Sequence, residues 1–287
     1  MVLITRESSI IIQGITGRQG SFHTKTMLEY GTNIVAGVTP GKGGQIIHDI
    51  PVYNSVHSAA ESHEINASVV FVPAKFAKDA VIEGIQAGLE TIAVITEGIP
   101  VRDTMEMLAA AKEQAIIIGP NTAGMLVPPI QAKLGIMPND LCSPGSISVI
   151  TKSGTLSYEI TKSLDLAGLG LANYLGIGGD PIRGSTFVDM LKIVRNDPTT
   201  KQVVLIGEIG GDEEERAADF IKEHFDKPVF AYVAGKSAPK GKRMGHAGAI
   251  ISGESGTAQT KIKALRAADV IVADSPWDLA NLIRDHI

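Results

Sequence analysis

Two consecutive α/β units, each built on a doubly wound parallel sheet, are predicted by three features of the sequence. Short Val/Ile runs alternate with longer amphipathic stretches from one end of the chain to the other. Those runs are continuously apolar rather than alternating, the pattern of strands covered on both faces. The 287 residues also exceed the ~100–200 of a typical single domain.

In the first half the pattern predicts strands over residues 10–12, 34–38, 68–72, 91–95 and 116–118. Helices are expected between them, over 21–30, 55–61, 77–87 and 102–114. This is βαβ repetition, whose outcome is a parallel sheet with helices on both faces. Residues 121–145 break the rhythm. Pro128, Pro129, Pro138 and Pro144 interrupt any helical period, so the boundary is expected at Asn121, dividing the chain into 1–121 and 122–287. A second series follows, with strands over 146–150, 172–175, 203–207, 228–232 and 270–272. Its helices are expected over 156–167, 186–196, 213–223, 257–267 and 276–284.

Composition narrows the function classes. Apolar residues at 44% and charged residues at 20% predict a packed core rather than disorder. Glycine, at 31 residues, exceeds the usual ~7%, and with no repeat period the surplus points to tight turns and close backbone approaches. A net charge of −5 argues against non-specific coating of nucleic acid or of an anionic membrane. No apolar stretch approaches the ~20 residues of a membrane span. The apolar run at 10–12 comes so early that no signal or transit peptide is expected. Cys142 is the single cysteine, which excludes an intramolecular disulfide and a cysteine-only metal site and fits a reducing, cytoplasmic setting.

The first expected strand runs into Gly14-Ile15-Thr16-Gly17-Arg18-Gln19-Gly20 and then a helix. Such a loop turns backbone N–H groups and a positive dipole end toward an anion. The dinucleotide pattern G-x-G-x-x-G has Thr16 where its second glycine would stand. A dinucleotide site also wants an acid after the second strand, where this chain has Val38-Thr39-Pro40-Gly41-Lys42-Gly43-Gly44. Lys42 in that turn reads as a phosphate ligand, against NAD and toward another phosphorylated adenine cofactor such as coenzyme A. Its alternative is an ordinary solvated lysine. A further strand-end loop, Thr96-Glu97-Gly98, lies at the carboxyl edge where open sheets bind ligands. Glu97 reads either as part of that site or as a solvated loop acid.

In the second half, Ser153-Gly154-Thr155 opens a helix, either as a simple N-cap or as a phosphate cradle. Gly176-Ile177-Gly178-Gly179-Asp180 and Gly207-Glu208-Ile209-Gly210-Gly211 end two other strands on the same expected edge. His246, set between Gly245 and Gly248, differs from the other six histidines. His23 and His224 fall on expected helices, and His48, His57, His63 and His286 read as surface residues. An imidazole in this setting is a nucleophile toward phosphorus, with Glu208 nominated to fix its tautomer and Ser153–Thr155 to receive the phosphate. Lys240, Lys242 and Arg243 either attract a phosphorylated group or form a solvated basic loop. Metal ligation by His246 is disfavoured, because no second histidine lies at i±4.

Taken together, these strings resemble the α subunits of succinyl-CoA synthetase over nearly the whole chain. The resemblance implies a Rossmann-like CoA-binding domain followed by a flavodoxin-like ligase domain. It implies the reversible reaction of succinate, CoA and ATP or GTP to succinyl-CoA, ADP or GDP and phosphate, a step of the tricarboxylic acid cycle, through succinyl phosphate and a phosphohistidine. By match to the family's motifs, Thr16, Gly17, Arg18, Gln19, Lys42, Ile95, Thr96 and Glu97 would contact CoA. His246 would take the phosphoryl group, Glu208 orient it, Ser153, Gly154 and Thr155 hold the phosphate, and Tyr158 lie by the acid substrate. Nothing here resembles an ATP-grasp domain or its magnesium-binding acids. The resemblance therefore implies a separate β subunit holding Mg2+ and nucleotide, in an αβ or α2β2 assembly. A malate–CoA ligase or other acyl-CoA synthetase subunit would share the fold. A non-catalytic CoA sensor would have no use for the histidine loop.

Overall fold

The computed structural model describes residues 3–239, 241–251 and 256–286. In the first unit the strands are β1 (Ile10–Gln13), β2 (Ile34–Val38), β3 (Ile46–Ile47), β4 (Ile50–Tyr53), β5 (Ala67–Val70), β6 (Thr91–Val94) and β7 (Ile116–Ile118). Helices α1 (Arg18–Tyr30), α2 (Val56–Ala60), α3 (Ala74–Gln86) and α4 (Val101–Ala111) connect them. The sheet order is β3-β4-β2-β1-β5-β6-β7, parallel except for the short β3 edge. With β3 set aside, this is the dinucleotide-binding order, and the strand order reverses between β1 and β5. β1, β5 and β6 are buried at every position, which is why their residues read as continuous apolar runs. Ile11, Val38, Val70, Val94, Val81 and Met107 belong to one core cluster of strand and helix side chains.

β3 and β4 fall where no element was expected. They are only two and four residues long, and the turn between them places the non-glycine residues His48 and Asp49 at φ of 50° and 65°. Neither length nor glycine marks such a hairpin in a sequence. α4 stops three residues early, at Ala111, where Lys112 takes a positive φ of 40°.

The compact units do not divide at Asn121. The first comprises 1–126, 130–139 and 182–184; the second comprises 127–129, 140–181 and 185–287. The stretch without helical period contains strands β8 (Gly124–Val127) and β9 (Ala132–Gly135). β9 and the residues after it hold to α1 and its C-terminal turn. Asn139 Nδ2 donates to the Thr26 carbonyl at 2.9 Å, and the Lys133 backbone N–H donates to Thr32 Oγ1 at 3.0 Å. Prolines break helices but tolerate short strands at their flanks, so they mislead about where the unit ends.

The second unit contains β10 (Pro144–Thr151), β11 (Leu171–Gly176), β12 (Gln202–Glu208), β13 (Val229–Ala234) and β14 (Ile271–Val272). They run parallel in the order β14-β13-β12-β10-β11. This is the flavodoxin-like order, with its switch between β10 and β12. The connecting helices are α5 (Gly154–Leu166), α6 (Phe187–Arg195), α7 (Glu213–His224) and α8 (Ala258–Ala267). The helix expected over 276–284 divides into a 3-10 turn, Pro276–Asp278, and α9 (Leu279–Arg284). Thr186 opens α6 with a capping box to Asp189, and Ser153 and Thr257 cap α5 and α8.

Candidate functional site

In the first unit the expected ligand loops leave the carboxyl ends of β1, β2 and β6, around the switch point. The β1–α1 turn is possible only with glycine at its ends. Gly14 has φ of +88°, and a Cβ on Gly20 would lie 2.2 Å from the Gly14 carbonyl oxygen. Gly17 caps α1 without a side-chain hydrogen bond, and the first turn carries no acid. The N-terminal N–H groups of α1 are therefore not claimed by a capping side chain, as an anion site requires. Arg18 and Gln19 are exposed beside them.

Thr39 ties the second loop to the first. Thr16 Oγ1 donates to Thr39 Oγ1 at 3.2 Å, and the Lys42 N–H donates to the Thr39 carbonyl at 3.1 Å. Lys42 is exposed in this turn. On the other side of the switch, Thr96 Oγ1 donates to the Val72 carbonyl at 2.7 Å, and Val72 also lies 3.2 Å from the position of a Gly14 Cβ. Ile95 and Thr96 are half-buried and Glu97 is exposed. The candidate CoA residues thus line one sheet edge, with backbone donors at its centre and one lysine and one arginine at its rim.

In the second unit the site is made by three neighbouring strands. Thr151 at the end of β10 is in register with Gly176 of β11 and Ile206 of β12, so the loops that follow emerge side by side. His246 meets two of them. Its Nδ1 lies 2.8 Å from Glu208 Oε2. Its ring also packs so tightly on Gly179 that a Cβ there would fall 2.5 Å from the imidazole. The carboxylate is an acceptor only, so Nδ1 donates to it and carries the proton. The pair is partly buried, with side-chain exposures of 26% and 13%, which screens it less than a surface pair.

The backbone under His246 is held by turns. The Ala249 N–H donates to the His246 carbonyl at 3.1 Å, and the Met244 N–H to the Ala249 carbonyl at 2.9 Å. Gly210, with φ of +92°, approaches the Gly248 carbonyl so closely that a Cβ would lie 2.1 Å from it. Between the two loops that touch His246, Ser153 Oγ accepts from the Leu156 N–H at 3.3 Å and starts α5, whose first turn also has no acid. The capping and cradle readings of Ser153 are therefore compatible, since its cap bond uses a different donor from the N–H groups of Gly154 and Thr155.

Tyr158 is half-buried on α5, and burial raises its phenol above the ordinary range. Lys242 and Arg243 are exposed, and Lys240 lies outside the described residues. His63 is not a plain surface residue: it is half-buried and meets the Tyr53 hydroxyl at 2.9 Å. Among the described residues, no group of three or more His, Cys, Asp or Glu side chains is arranged to hold a metal ion. No helix among them is long and apolar enough to cross a membrane. Three charged residues beneath Glu208, namely Lys152, Glu214 and Lys261, escaped the sequence reading and are nearly or fully buried.

Comparison with known proteins agrees with this division. Residues 5–98 match the family described as CoA binding domain, and residues 150–271 match the family described as CoA-ligase. The chain is 53% identical to the succinate–CoA ligase [ADP-forming] α subunit of Methanothermobacter thermautotrophicus, across 100% of this chain and 97% of that one. It is 52% identical to α subunit 2 of the same enzyme in Archaeoglobus fulgidus, across 99% of each. Among solved structures it resembles the ATP citrate lyase of Methanosaeta concilii in complex with (3S)-citryl-CoA. That match has a TM-score of 0.90 and 26% identity, and covers 99% of this chain and 50% of the lyase. The chain therefore spans about half the length of that lyase.

Proposed function

The chain belongs to the family of succinate–CoA ligase α subunits, and from that premise we propose how its residues divide the reaction. The first unit binds CoA at the β1–β5 switch point. The α1 N-terminus and the Thr16–Gln19 loop face the diphosphate, Lys42 adds a charge-assisted contact, and Ile95, Thr96 and Glu97 border the remainder. The second unit carries the phosphoryl group. Phosphate displaces CoA from succinyl-CoA to give succinyl phosphate. Nε2 of His246 then attacks phosphorus, the P–O bond breaks and succinate leaves. The phosphohistidine finally gives its phosphoryl group to a nucleoside diphosphate.

The observation that carries this reading is the 2.8 Å contact between His246 Nδ1 and Glu208. A carboxylate on Nδ1 raises the nucleophilicity of Nε2 and stabilises the ring as it gains positive character. The N-terminus of α5, with Ser153, Gly154 and Thr155, supplies donors for the transferring oxygens. Tyr158, on the same helix, borders the acid. This chain contains no candidate for activating the nucleotide among its described residues. The reading therefore requires a β subunit with an ATP-grasp domain that holds Mg2+ and nucleotide, in an αβ or α2β2 assembly working in the cytoplasm. The ADP-forming names of the relatives favour ATP.

The test is intact-mass spectrometry of the complex with its β subunit after incubation with ATP and magnesium, kept neutral or alkaline because phosphohistidine hydrolyses in acid. A gain of one phosphoryl group, absent in His246→Asn and discharged by succinate plus CoA, is expected. No gain with an active partner would overturn the reading. Discharge by malate but not succinate would reassign the acid while leaving the chemistry.

A further inference from the structure

Beneath the Glu208–His246 contact lies a cluster of charge. Lys152 at the end of β10, Glu214 in the first turn of α7 and Lys261 on α8 are 5%, 1% and 0% exposed. Lys152 Nζ donates to Glu214 Oε1 at 2.8 Å, and Lys261 Nζ to Oε2 at 2.5 Å. Lys261 also donates to the Gly211 carbonyl at 3.0 Å and to Glu215 Oε2 at 3.1 Å. Burial acts to raise the Glu214 carboxyl, but the two lysines and their hydrogen bonds outweigh it and hold the group below its ordinary value. Glu214 is therefore a carboxylate with charge to share.

It shares that charge with the site. Glu214 Oε1 accepts the backbone N–H of Glu208 at 3.1 Å. Gly207 makes room for this, since a Cβ on it would fall 2.6 Å from the same oxygen. Lys152 immediately precedes the Ser153 cap of α5, and Lys261 holds the far end of the Glu208 loop through Gly211. As a device for stability alone the arrangement is poor, because buried ion pairs are often matched or bettered by apolar side chains of similar volume.

We propose that the buried Glu214 carboxylate, held by Lys152 and Lys261, positions the phosphoryl-accepting histidine: its hydrogen bond from the Glu208 N–H sets the Glu208 carboxylate against His246. Glu214 is a positioning residue and touches no reacting atom; the two lysines neutralise its buried charge. The proposal rests on the reading of His246 as the phosphoryl acceptor.

Two matched variants separate positioning from stability. Both carry Lys152→Met and Lys261→Met, one with Glu214→Gln and the other with Glu214→Leu. Each replaces the buried charges with neutral groups, but only glutamine keeps an acceptor for the Glu208 N–H. In complex with the β subunit, the glutamine variant is expected to form phosphohistidine within about threefold of the wild-type rate. The leucine variant is expected to be slower by about tenfold or more, as a displaced catalytic group would make it. Both should unfold cooperatively and keep wild-type CoA affinity.

A folded leucine variant at the wild-type rate, or a folded glutamine variant as slow as it, overturns the proposal. If either variant does not fold, Gly207→Ala reports on the same contact by pushing Glu214 off the Glu208 N–H. The same slowing is expected, and an unslowed Gly207→Ala complex overturns the proposal. The Nδ1–H proton resonance of His246 needs no turnover. If the wild-type complex takes up no phosphoryl group, it still reports on the triad: an upfield move in the leucine variant or Gly207→Ala is expected, and an unmoved resonance overturns the proposal.

Discussion

The two units bury lysine in opposite ways. Lys133 in the first unit is 1% exposed and donates to neutral acceptors, the Met137 carbonyl at 2.9 Å and Asn139 Oδ1 at 2.6 Å. Burial, only partly offset by the more distant charge of Glu29, pushes it down to about 8. Lys152 and Lys261 in the second unit close instead on the carboxylate of Glu214. A buried cation with neutral partners gives up its proton readily, whereas one that meets a buried carboxylate becomes a fixed point. The lesson extends to the sites. The first presents an exposed rim and glycine-shaped backbone, suited to gripping a large ligand that brings its own charge. The second sets an imidazole on a carboxylate above a buried ionic floor, which fits the phosphoryl transfer proposed for it.

The contrast breaks most decisively at His246. His246→Asn is expected to abolish turnover of the complex, a loss of at least about three orders of magnitude by analogy with removal of a covalent nucleophile. CoA affinity, measured by calorimetry, should stay unchanged; a large loss of CoA binding would mean that the two sites are not separate. Next in size is Glu208→Gln, which removes the carboxylate from Nδ1. Phosphohistidine formation should slow by about 10²-fold or more, and a rate within twofold of wild type would leave Glu208 without a role. Gly179→Ala sharpens the same point without touching charge. Its methyl would lie 2.5 Å from the imidazole, so phosphorylation should fall while CoA affinity holds.

Smaller effects belong to the first unit. Lys42→Ala should weaken CoA binding by about 1–2 kcal/mol, the range of one charge-assisted contact, with the phosphorylation rate unaffected. An unchanged dissociation constant returns Lys42 to the solvated lysines. A separate effect is a pH dependence of stability. Lys133 titrates at about 8 in the folded chain, against a reference of 10.5. Between those values the unfolded chain holds more protons, so this group's contribution to stability rises with pH across that window. Below about pH 8 the full cost of burying the charge is present. The urea midpoint of wild type should rise relative to that of Lys133→Met as pH goes from about 8 to 10; a flat difference would mean that Lys133 is not shifted.

Much of this is legible in the sequence. The apolar runs at 34–38 and 116–118 become strands with the expected bounds, because a strand covered on both faces has no polar position to blur the pattern. The glycine loops after β1, β11 and β12 and the unusual setting of His246 were also visible. What could not be read were elements whose reasons are not local. β3 and β4 are too short to show a period, and the segment of β9 and Asn139 belongs to the first unit, with Lys133 bonded to Thr32, 101 positions away, and Asn139 to Thr26, 113 away.

The sequence by itself determined the fold class and marked the candidate site residues, because burial periodicity and glycine turns are local properties written into consecutive positions. The tertiary structure alone decided how those residues are held. Lys261 sits on an amphipathic helix with no local feature to mark it as buried, and its partner Glu214 is 47 residues away, as Lys152 is 62 from the same carboxylate. Burying any one of these charges is prohibitive until the others arrive, so their role exists only once the chain has folded around them.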